Sequence, residues 1–142
     1  MRKADKVEAL ARLALLEHCT RRDLTALASV AVEEDFPPGA VLTREGQRGG
    51  LAFVLLSGAA SARRGNRRIA TIRPGEIVGE MSLIDGAPRS ATVTADDAVR
   101  ALAINVDDFR ALVGRSPRFT AALLRTLAGR IRDADRKGEL RH

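Results

Sequence analysis

A chain of 142 residues has room for one domain with a sizeable hydrophobic core and no need of metal or disulfide staples. Hydrophobic residues make up 45% and charged residues 30%, but aromatics only 3% with no Trp or Tyr, which leaves a core of Ala, Val, Leu and Ile and few rings for base stacking. The formal net charge of +6 favours an anionic partner, while two histidines and one cysteine exclude an intramolecular disulfide and starve histidine-rich metal sites and Ser/His/Asp or Cys/His catalytic sets.

The N-terminal "MRKADKVEAL" lacks the apolar segment of a signal peptide, and no run of about eighteen apolar residues follows, so a cytoplasmic protein with no membrane partner is expected. Residues 6 to 16 set Val7, Leu10, Leu13 and Leu16 at helical spacing, which predicts a first helix. Cys19, within "LALLEHCTRRDL", reads as a buried helical thiol. Thr20 is the expected N-cap of a second helix over "TRRDLTALASV".

From residue 30 the pattern turns to short β-prone runs: "VAVEEDF", "AVLTRE", "AFVLLS", "ASARR", "RRIATI", "EIVGE", "SATVTA" and "VRALAI". Turn signals at "PPG", "EGQRGG", "SG", "RGN", "RPGE" and "DGAP" separate them, with Gly39, Gly46, Gly58, Gly65 and Gly75 placed where a turn calls for positive φ. About eight short strands in a small chain predict an α+β fold, an antiparallel, jelly-roll-like β-roll flanked by N-terminal helices and a C-terminal helix. After residue 105 helical periodicity returns, with Asn105 as one N-cap and Ser116, followed by Pro117, as another. One domain is expected, comprising N-terminal helices over 1–29, the β-roll over 30–104 and C-terminal helices over 105–142, with no room for a DNA-binding helix-turn-helix.

The stretch "GEMSLIDGAPRSATV", residues 79 to 93, breaks the strand pattern. It is too apolar for a loose loop and lacks period-two alternation, so a single helical turn over Glu80 to Ile84 closed by Asp85-Gly86 is predicted. Free backbone N–H groups at the start of such a turn suit an anion, and Arg89, after a proline, would add a charge-assisted grip on phosphate oxygens. Glu80 is suited to accept hydrogen bonds from a sugar hydroxyl. The plain alternative is that Glu80 and Arg89 pair with each other or face water.

Residues 74 to 95, "PGEIVGEMSLIDGAPRSATVTA", resemble the phosphate-binding cassette of cyclic-nucleotide-binding domains, in which Gly-Glu is followed at fixed distance by Pro-Arg-Ser/Thr/Ala-Ala. The similarity extends to "FPPGAVLTREG", "AFVLLSGAASARRGNRRIATIRPGE" and "FRALVGRSPRFTAALLRTLAGRIR", covering about residues 10 to 137. The resemblance implies that Glu80 accepts the ribose 2′-hydroxyl, that Arg89 pairs with the cyclic phosphate, and that Gly79 lets the backbone pass close to the sugar. It further implies phosphate contacts from the backbone amides of Ser82 and Ser90, with Met81 and Ala91 completing the cassette over 79–91 and Val78 lying against the base. Serine at position 90 points to cyclic AMP, with cyclic GMP as the alternative. Ile131, Ala134 and Asp135 fall where a lid contact from the last helix would come. The apolar stripe of Leu124, Leu127, Ala128 and Ile131 is expected to lie on the chain's own β-roll, with a homodimer seam as the other use of that helix.

The function expected is therefore a sensor that moves its C-terminal helix on binding a cyclic nucleotide and so regulates a partner protein; no catalysis, metal or cofactor is expected. Two other readings stand beside it. One is a degenerate member that keeps the fold for protein association without binding nucleotide. The other is nucleic-acid binding through Arg125, Arg130, Arg132 and Arg136, which is disfavoured because Asp133 and Asp135 interrupt them.

Overall fold

The computed structural model describes the chain except at residues 14, 15, 18, 80–88, 90, 122, 123, 126, 127 and 129–142. Two helices open it, α1 (Lys3–Ala11) and α2 (Arg21–Val30). Eight strands follow: β1 (Val32–Phe36), β2 (Val41–Thr43), β3 (Leu51–Ser57), β4 (Ala60–Arg64), β5 (Arg67–Ile72), β6 (Ile77–Val78), β7 (Thr92–Ala95) and β8 (Val99–Asn105). Helix α3 (Val106–Arg115) comes next, and residues 117–121 are again helical.

The strands form two four-stranded antiparallel sheets, ordered β1-β8-β3-β6 and β2-β7-β4-β5. This is the predicted β-roll between helices. All five predicted turn glycines have positive φ, as does Gly79 at +96°. Three expected N-caps are made: Thr20 Oγ1 accepts from Asp23 N (3.1 Å), Asn105 Oδ1 from Asp107 N (2.8 Å) and Ser116 Oγ from Phe119 N (3.3 Å).

The first helix is shorter than predicted. It ends at Ala11, and the chain continues through three-residue hydrogen bonds from Leu13 N to Leu10 O, Leu16 N to Leu13 O and Cys19 N to Leu16 O. Positions 7, 10, 13 and 16 are spaced by three throughout, a spacing that serves the i→i+3 bonds of a tighter turn as well as an α-helix. Cys19 accordingly lies in a bend before α2, half-buried, and not in a helix. Burial, and secondarily the charge of Asp23, push its thiol up to about 11, so it stays protonated at neutral pH.

The core has two parts, one on each face of the β1-β8-β3-β6 sheet. Ala52, Val54, Ile77, Leu102 and Ile104 face the helices and meet Leu10, Leu24, Leu27, Phe109, Leu112 and Phe119. Phe53, Leu55, Val78, Val99, Ala101 and Ala103 alternate with them and face the interior of the roll, where they meet Leu42, Ala60, Ala62, Val93 and Ala95. Covering on both faces is why β3 and β8 read as nearly continuous apolar runs.

Candidate functional site

Arg89 is the focus of the site. The main chain around it is tied to the loop between β2 and β3, with Gly46 N donating to Arg89 O (2.9 Å) and Arg89 N donating to Gln47 O (2.9 Å). These two bonds fix where the side chain starts. The guanidinium then runs inward, 8% exposed, and donates through Nη1 to the carbonyl of Gly79 (3.1 Å) and through Nη2 to the carbonyl of Leu51.

Two glycines make room for it. A Cβ on Gly49 would overlap Nη2, Nε and Cζ of Arg89, and one on Gly79 would overlap Nη1. At Gly79 the backbone also needs a glycine, since its φ is positive. Gly49 has no such backbone demand; the guanidinium alone accounts for its missing side chain. Burial lowers the pKa of Arg89 from its ordinary value, because desolvation disfavours the charged form. An anion in contact with the guanidinium would offset that penalty.

Arg89 lines a cavity of about 250 Å³ together with Val41, Leu42, Thr43, Phe53 and the loop residues Arg44, Gln47, Arg48, Gly49, Gly50 and Leu51. One wall is apolar and the other carries guanidinium and backbone groups. Such a cavity suits a ligand with an apolar part and an anionic part. Among the described residues, no group of three or more His, Cys, Asp or Glu side chains is placed to hold a metal ion.

The structure brings together three of the predicted site residues around this region. Val78 is buried in β6, paired with Phe53 and facing the roll interior. Gly79 is in contact with Arg89. Ala91 is half-buried against the same interior, its carbonyl accepting from Thr43 Oγ1 (3.3 Å). Glu80, Met81, Ser82 and Ser90, the helical turn expected over 80–84, and the lid positions Ile131, Ala134 and Asp135 lie outside the described residues. Of the stripe expected to lie on the β-roll, Leu124 is 58% exposed and Ala128 is half-buried, while Leu127 and Ile131 are outside the described residues. Sequence reasoning missed Gly49 and the wall from Val41 to Thr43. The only signal was a Gly-Gly pair beyond what the turn at Gly46 requires.

Comparison with known proteins agrees with this architecture. Residues 33–116 match the family model described as the cyclic nucleotide-binding domain. The chain belongs to that family.

A CRP-like cAMP-activated global transcriptional regulator of Mycobacterium tuberculosis is 31% identical over 130 residues, covering 88% of this chain and 58% of the regulator. A cGMP-dependent protein kinase of Toxoplasma gondii is 34% identical over 94 residues, 66% of this chain and 10% of the kinase. The crystal structure of the Thermus thermophilus catabolite activator protein superposes with a TM-score of 0.77 at 29% identity, covering 87% of this chain and 61% of that one. The chain thus spans less than two thirds of each of these proteins. None of the described helices is long and apolar enough to cross a membrane.

Proposed function

We propose that this domain is a non-enzymatic receptor for cyclic AMP that regulates a partner protein. The observation that carries the reading is the guanidinium of Arg89, seated between Gly49 and Gly79 and lining a cavity whose opposite wall is apolar. A cyclic nucleotide has the matching parts, one phosphate charge and a flat base. In this reading the cyclic phosphate meets Arg89 and the backbone amides of Ser82 and Ser90, with Glu80 accepting from the ribose 2′-hydroxyl. The base lies along the apolar wall with Val78 behind it. Serine at position 90 supports cyclic AMP over cyclic GMP.

The output is a shift of the segment after Ser116, with Ile131, Ala134 and Asp135 closing over the ligand. Such a switch works only if the ligand binds the closed form better than the open one, since equal affinity moves no equilibrium.

Thermal unfolding with cyclic AMP, cyclic GMP and linear AMP tests this. At about a hundred times its dissociation constant a ligand adds about 2.7 kcal/mol; cyclic AMP is expected to raise Tm and linear AMP to leave it unchanged. Arg89→Ala removes charge-assisted hydrogen bonds worth roughly 1.5–3 kcal/mol each, so affinity falls about tenfold or more. Unchanged affinity in that variant, or no stabilisation by either cyclic nucleotide, would overturn the reading.

A further inference from the structure

The stretch "TREGQRGG", residues 43–50 between β2 and β3, carries Arg44, Glu45 and Arg48, and the fold sorts these charges. A turn is closed by Gln47 N donating to Arg44 O (3.2 Å), with Gly46 supplying the positive φ of +82°. Glu45 is drawn away from the cavity: its Oε1 accepts from Gly65 N (2.9 Å) in the β4-β5 hairpin, and it does not line the space around Arg89. Arg44 and Arg48 do line it, and both are exposed. Among the described residues, neither of these guanidinium groups is engaged in a hydrogen bond or ion pair. The described lining thus holds three arginines and no carboxylate. Even with Glu80 at the ribose, as proposed above, three arginines would stand against one carboxylate, and a cyclic nucleotide brings a single negative charge.

The three arginines differ in reach. Arg89 is 8% exposed, so a ligand meets it only once inside. Arg44 and Arg48 stand in water, where a contact pair is worth little but the field of a charge extends about 10 Å at 0.1 M salt. The turn that carries them is pinned to Arg89, since Gly46 N and Gln47 O hold its main chain (2.9 Å each). We infer that Arg44 and Arg48 are capture residues, a positive rim that draws the cyclic nucleotide to the cavity mouth and sets how fast it binds, while Arg89 sets how long it stays. A rim charge acts on the association rate and its salt dependence, a buried charge pair on dissociation. This role rests on the nucleotide reading above and adds to it the step by which the ligand enters.

Stopped-flow mixing with a cyclic AMP that carries a fluorophore on its base measures kon, and a chase with unlabelled cyclic AMP measures koff. In R44Q/R48Q, kon is expected to fall about threefold at 0.1 M salt with koff and Tm unchanged, and the difference is expected to vanish at about 1 M salt, where the field reaches only about 3 Å. R44K/R48K keeps the charge and loses the guanidinium fork, so its kon is expected to match that of the unmodified chain. R21Q/R22Q removes the same charge from α2 and is expected to leave kon unchanged, since neither residue lines the cavity. An equal fall in R21Q/R22Q would mean that net charge alone sets the rate. A rise in koff with kon unchanged, or a slow kon in R44K/R48K, would make the arginines direct contacts of the bound ligand; no change in either rate would make them solvated surface. Each of these results overturns the capture role and leaves the receptor standing, whereas absence of binding to the unmodified chain overturns both together.

Discussion

The two faces of the β1-β8-β3-β6 sheet are both buried, yet they are built from different residues. Among the described residues, the helix face buries 17, of which Ala28, Ala31 and Ala52 are the only alanines, and the stacked rings of Phe109 and Phe119, 6.0 Å apart, anchor the helices. On the roll face, alanines make up five of 11: Ala60, Ala62, Ala95, Ala101 and Ala103. Large side chains fill the gap between helices and a sheet, whereas small ones fill less and require two sheets to approach closely if no space is to be left between them. The Arg89 cavity takes its apolar wall from the roll side, through Leu42 and Phe53. On the proposed reading, stability and recognition are drawn largely from opposite faces of one sheet.

The largest effect should come from the helix face. Phe109 is fully buried and stacked on Phe119, so Phe109→Ala is expected to cost about 3–5 kcal/mol through lost transfer free energy and a residual cavity. Denaturant unfolding measures the loss. If the division holds, ligand affinity measured on the folded fraction stays unchanged; a parallel loss of affinity would erase the contrast between the faces.

A middle-sized effect is expected from overfilling the roll. Ala103 pairs directly with Phe53, whose ring lies edge-on to Phe36 at 5.5 Å and lines the cavity. Ala103→Leu is therefore expected to cost about 1–3 kcal/mol and to weaken ligand binding as well, because Phe53 has to move. Calorimetric titration alongside unfolding checks both. A change in stability alone would mean that Phe53 yields in another direction and the apolar wall is not shared.

How far the sequence foretold this arrangement follows from the range of each interaction. The residues of β4 and β5 coincide with the runs "ASARR" and "RRIATI", because alternation and a Gly-Asn turn are local signals. The caps at Thr20, Asn105 and Ser116 were legible for the same reason. The end of α1 was not, since a spacing of three fits two kinds of helix. Within the site, Arg89 was legible from its setting and from the resemblance, but its seat was not. Gly49 lies forty residues earlier in the chain, and nothing local to "EGQRGG" distinguishes a glycine that turns the backbone from one that admits a guanidinium.

That distinction gives the smallest expected effect on stability and the sharpest on recognition. Gly49→Ala puts no strain on the backbone, because Gly49 lacks a positive φ, and the atoms its Cβ would strike are the far end of a flexible side chain. The fold can absorb the change by moving the Arg89 guanidinium towards water, where relief of its desolvation offsets the two hydrogen bonds it gives up, so stability should change by less than about 1 kcal/mol. A displaced guanidinium leaves the carbonyls of Gly79 and Leu51 and no longer presents the same face to the cavity. Affinity for the cyclic nucleotide should then fall about tenfold, close to the effect of Arg89→Ala, and the two changes combined should cost little more than either alone. An additive double variant would mean that Gly49 acts on the ligand by a route other than Arg89. A large loss of stability would instead make the loop between β2 and β3 part of what holds the roll together, and would join the two regions that the sheet keeps apart.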